Sequence, residues 1–75
     1  MEEAKSYYNI VTAIWKLFKA SIPEVADITD PQDPRWAKIC DDFDAIEASA
    51  PASMKRYVGD MVLLHVDELE RRWRK

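Results

Sequence analysis

An all-α protein, a small three-helix bundle, is the fold class this sequence predicts, and three observations lead to it. Apolar residues recur at helical spacing in three separate segments. The single glycine sits inside the third segment, while the four prolines fall at segment edges or in connections. A chain of 75 residues with 48% hydrophobic content suffices for one core and not for two. Residues 1–75 are therefore expected to form a single helical domain.

The first helix is expected over residues 2–20. Tyr7, Ile10, Val11, Ile14, Leu17 and Phe18 make its apolar face, with Lys5, Asn9, Thr12 and Lys16 opposite. Tyr8 and Trp15 widen that face to about half the circumference, enough to touch two neighbouring helices. Lys16 and Lys19 would then occupy the last turn, where cations suit the helix dipole. Pro23, with no N–H to donate, is expected to stop the helix. Ser21 to Asp33 reads as a connection that opens on a Ser21/Glu24 capping box. Within it, Ile22, Val25 and Ile28 fold back over the bundle end.

The second helix is expected over residues 34–48. Asp30-Pro31 and Asp33-Pro34 each offer an N-cap Asp followed by a Pro at the first helical position. Trp36, Ile39, Cys40, Phe43 and Ile46 then form one apolar stripe. The small-residue turn from Ala48 to Ser53 is short enough to make the second and third helices antiparallel neighbours. The third helix is expected over residues 51–74, with Met54, Tyr57, Val58, Met61, Val62, Leu64 and Leu69 facing the core. Asp67/Arg71, Glu68/Arg72 and Glu70/Arg74 are favourable pairs along it.

The run Met61 to Val66 is apolar almost all round this helix, more than a three-helix monomer can cover. Gly59, Leu63, Val66 and Trp73 make a second face beside the core line. Gly59 costs about 1 kcal/mol relative to alanine in a helix interior, a loss best tolerated where another backbone comes close. These four residues are the expected self-association surface. They predict a homodimer through helix three, paired by a two-fold axis; a different protein partner is the other occupant open to that stripe.

Chemical sites are scarce. A lone Cys40 leaves no intrachain disulfide, and with His65 as the one histidine there is no structural zinc cage. Both face the core, so a Cys40–His65 pair is geometrically open. Neither an oxyanion hole nor a substrate cleft accompanies them, and both read as structural. Asp27, Asp30 and Asp33 lack the spacing, turn glycine and closing Glu of a calcium loop. No enzymatic activity, cofactor or metal is expected.

Net charge is −3 with a pI near 5.0, a balance that disfavours nucleic acid. The charge is unevenly spread: eight acids lie between Glu24 and Glu47, whereas Arg71, Arg72, Arg74 and Lys75 gather at the end. Those four bases are the candidate anion contact. The acidic start and the lack of an apolar run near the roughly 20 residues of a membrane span point to a cytoplasmic protein.

Tyr7-Tyr8, Trp15 with Phe18-Lys19, Asp33-Pro34 with Trp36, and the closing Leu64-to-Arg71 run with its Glu-Leu-Glu-Arg ending resemble a group of small helical bacterial proteins. Those proteins are often encoded near phage-like or mobile-element genes. The resemblance implies a small cytosolic accessory protein and brings no catalytic or binding residues with it. The function expected is a helical protein–protein interaction module that self-associates. The alternative is a DNA-associated accessory regulator that uses the basic tail.

Overall fold

In a computed structural model, which describes residues 2–74, the first helix does not stop before Pro23. It runs as α1 from Glu2 to Ala26, with Pro23 inside it. The missing proline N–H and ring clash cost about 3 kcal/mol. Continuing the helix buries Val25 completely and brings Ile28 into the core just beyond it. At about 1.5–3 kcal/mol for each such side chain, burial outweighs the break. The expected capping box is absent for the same reason. Ser21 is buried inside the helix, and its hydroxyl donates to the Leu17 carbonyl at 2.7 Å. Lys16 and Lys19 consequently lie far from the last turn, which carries no base. The chain leaves α1 through tight bonds from Asp27 N to Glu24 O and Ile28 N to Val25 O, both 3.1 Å.

The second helix, α2, spans Pro34–Ala48 and starts at the later of the two Asp-Pro pairs. Asp33 is its N-cap, accepting from the Arg35 backbone N–H at 2.9 Å. Asp30 instead closes the loop turn, accepting from Gln32 N at 2.9 Å. After a short connection a 3-10 turn, Ala52–Met54, leads directly into α3, Lys55–Trp73. The Lys55 ammonium reaches back to the carbonyls of Glu47 and Ala48, at 3.3 and 3.2 Å. A cation there complements the negative end of α2.

Contacts along the helices set their directions. Tyr7 meets Tyr57 and Phe18 meets His65, so α1 and α3 run parallel. Trp36 meets Trp73 while Glu47 lies against Gly59, so α2 runs antiparallel to α3. The result is an up-down-up three-helix bundle measuring 43 × 18 × 17 Å. Ile14, Phe18 and Val25 from α1, Ile39 and Phe43 from α2, and Val58, Val62 and Leu69 from α3 fill its core; Ile28, Ala50 and Met54 close its ends. Two residues assigned to that core lie outside it. Tyr57 is 47% exposed and Leu64 68% exposed. The centre of the buried arc on α3 runs through Val58, Val62 and Leu69, which carries Leu64 round to the rim.

Candidate functional site: the two flanks of α3

The stripe assigned to self-association lies on the flank of α3 that faces α2, and the monomer uses much of it. Val66 and Trp73 pack against the core. The Trp73 ring meets Trp36 edge-on at 5.6 Å, and the Arg74 guanidinium sits 5.5 Å from the Trp73 ring centre. Trp73 Nε1 is buried with no hydrogen-bond partner among the described residues. Gly59 accommodates a side chain of the same molecule, since a β-carbon there would lie 3.3 Å from Glu47 Oε2. Only Leu63 stands well out of this flank, at 59% exposure. It borders a shallow cavity of about 220 Å³ with Cys40, Asp44, Glu47 and Val62.

The other exposed large apolar side chains among the described residues lie toward the opposite flank of α3, the one facing α1. Tyr8 and Trp15 on α1 are 69% and 53% exposed. They stand seven residues apart, two helical turns, and so share a face. Tyr57 and Leu64 on α3 have the same spacing. Trp15 stacks on Phe18 at 5.8 Å, Phe18 meets the ring of His65, and Tyr57 meets Tyr7 at 5.1 Å. Both pairs therefore border the seam between α1 and α3. Tyr8 and Tyr57 lie at one level, Trp15 and Leu64 at the next. Sequence reasoning placed Tyr8 and Trp15 on a wide face and Tyr57 and Leu64 in the core. The signal that could have found the seam was the repeated seven-residue spacing on both helices.

Cys40 and His65 are not brought together. Cys40 is half-buried on the α2 side of α3. Burial pushes its thiol pKa above the ordinary value, and the nearby carboxylates of Asp44, Glu70 and Asp41 add to the rise. That is the environment of an inert thiol. His65 lies on the α1 side, edge-on to Phe18 at 5.1 Å. Its Nδ1 is 2.7 Å from the Met61 carbonyl, an acceptor only, so the ring proton belongs on Nδ1.

The acids of the connection also have local work. Arg35 forms a two-pronged pair with Asp33, its Nε at 3.1 Å and Nη2 at 2.7 Å, and lies 3.8 Å from Asp27. The hydrogen bonds from Arg35 hold the Asp33 carboxyl below the usual range. Among the described residues no group of three or more His, Cys, Asp or Glu side chains is placed to hold a metal ion.

The basic tail is largely paired within its own helix. Glu68 accepts from Arg71 at 2.7 Å and lies 3.5 Å from Arg72, while Arg74 pairs with Glu70 at 3.5 Å. Arg71 thus takes Glu68 and not Asp67, the partner its spacing suggested. Lys75 lies outside the described residues. Arg71 and Arg72 border an open groove of about 740 Å³ between the ends of α1 and α3, walled by Ile22, Val25 and Trp73.

No helix among the described residues is long and apolar enough to cross a membrane. Comparison of the chain with protein-family models, curated proteins and solved structures finds no match.

Proposed function

We propose that this chain is a small helical interaction module that self-associates, and that it has no catalytic role. One observation carries the reading. Among the described residues, four of the five exposed large apolar side chains, Tyr8, Trp15, Tyr57 and Leu64, border a single seam between two parallel helices. Scattered apolar residues are normal on a protein surface, but a contiguous band is the usual mark of a protein contact. Such small bundles also gain stability from oligomerising, because a core this size supplies only about 3–5 kcal/mol. The separation of Cys40 from His65, with the thiol pKa raised, supports the non-catalytic part.

Sedimentation equilibrium across the micromolar range tests this. The expected result is a mass that climbs from one chain toward two as concentration rises. A single-chain mass up to high micromolar concentration would contradict it.

A further inference from the structure

We infer that the partner seated on the α1/α3 seam is a second copy of this chain, related by a two-fold axis parallel to the helices. In that arrangement α1 of each copy lies against α3 of the other. The inference rests on the self-association reading above and adds the surface, the orientation and the charges that select it.

Charge is segregated along the seam. Between Ala4 and Ile22 the only charges on α1 are Lys5, Lys16 and Lys19. Between Tyr57 and Glu70 the charges on α3 are Asp60, Asp67, Glu68 and Glu70, and the bases Arg56 and Arg71 flank this acidic span, Arg71 paired with Glu68 at 2.7 Å. Residues three and four apart are neighbours on a helix surface. Lys5 therefore adjoins Tyr8, and Lys19 adjoins Trp15. On α3, Asp60 adjoins both Tyr57 and Leu64, and Asp67 adjoins Leu64. All four of these charged residues are exposed, and none forms an ion pair among the described residues. The seam is thus an apolar band with a positive edge on one side and a negative edge on the other.

Two face-to-face arrangements are compatible with a two-fold axis. An axis across the helices would set α1 against α1 and α3 against α3, juxtaposing like charges. An axis along the helices sets α1 against α3 twice. It brings Lys5 and Lys19 to the edge occupied by Asp60 and Asp67 of the second copy. It also preserves level, so Tyr8 faces the second copy's Tyr57 and Trp15 faces its Leu64. The apolar band supplies affinity, and the charged edges choose the orientation.

Charge reversal distinguishes the possibilities. Lys5→Glu/Lys19→Glu alters only α1, and Asp60→Lys/Asp67→Lys alters only α3; circular dichroism confirms that each folds. Each variant alone should dimerise more weakly than wild type by roughly tenfold or more, as like charges now meet. An equimolar mixture of the two should recover a wild-type-like dimer that contains one of each. Added salt should weaken the wild-type dimer, because the facing edges attract. Three results would overturn the inference while leaving self-association intact: a mixture that fails to recover, a reversed-α1 variant that dimerises as well as wild type, or a wild-type dimer strengthened by salt. A wild-type chain that never dimerises would overturn both.

Discussion

Replacing Gly59 by alanine is expected to stabilise the monomer, although glycine beside an apolar stripe suggests a site that tolerates no side chain. The backbone at Gly59 is ordinary α-helix with no positive φ, so alanine meets no conformational strain. The helix-propensity gain is about 0.8–1 kcal/mol. Against it stands one close contact, 3.3 Å from the new β-carbon to Glu47 Oε2, with Glu47 Cδ and Oε1 following at 3.6 and 3.9 Å. All three atoms are the tip of a flexible side chain, and no backbone atom comes nearer. A rotation of a few tenths of an ångström relieves the contact at a small fraction of the gain. A net stabilisation of about 0.5–1 kcal/mol should raise Tm by about 2–8 °C for a domain of this size. Thermal unfolding followed at 222 nm in dilute solution reads this without a contribution from association. A lower Tm would refute the packing at this position. The same variant tests whether the Gly59 stripe is an intermolecular contact. If another molecule's backbone pressed on Gly59, alanine would weaken association, whereas contact through the α1/α3 seam leaves the sedimentation mass unchanged.

Pro23→Ala should stabilise the protein by about 1–3 kcal/mol, since it restores a helical N–H and removes a ring clash at a position that is already helical; a loss of stability in urea unfolding would show that α1 ends earlier. Because the Arg35 hydrogen bonds lower the folded pKa of Asp33, the stability from this pair is present at neutral pH. It is lost as pH falls below the ordinary carboxylate value of 3.8, where the unfolded chain takes up the proton first. Asp33→Asn, which keeps a helix cap but removes the ion pair, should flatten that part of the acid unfolding curve, and an unchanged curve would contradict the pairing. The half-buried Cys40 thiol should react with a bulky aromatic disulfide at neutral pH roughly tenfold or more slowly in the native protein than in urea; equal rates would mean an open, activated thiol.

The second and third helices were legible because independent signals coincide there. Asp33-Pro34 supplies a cap and a start, Ile39 and Phe43 supply the buried stripe, and the Ala48–Ser53 turn is too short for anything but a reversal. The end of the first helix was not legible. Pro23 is a local signal for a break, while the burial of Val25 and Ile28 that overrides it depends on where α2 and α3 lie. Which arc of the third helix meets its neighbours was not legible for a related reason. Periodicity shows that Met61 to Val66 is apolar all round, but not which arc meets the neighbours. A rotation of one residue about α3 decides whether Leu63 or Leu64 faces α1. Trp73 reads as surplus surface in the sequence because the residue that packs beside it, Trp36, is distant along the chain. The paired charges of the tail were partly visible: Glu68/Arg72 and Glu70/Arg74 form as spaced, and Arg71 prefers Glu68 at closer range.

Adjacent leucines on opposite flanks of α3 give the most direct test that the chain self-associates through the α1/α3 seam. Leu63→Glu and Leu64→Glu make the same chemical change at positions 59% and 68% exposed, so neither disturbs the core. Sedimentation equilibrium of both beside wild type should return a wild-type dimer for Leu63→Glu and a single-chain mass for Leu64→Glu. The reverse outcome, a monomeric Leu63→Glu with an intact Leu64→Glu dimer, would place the contact on the α2 side and contradict the account.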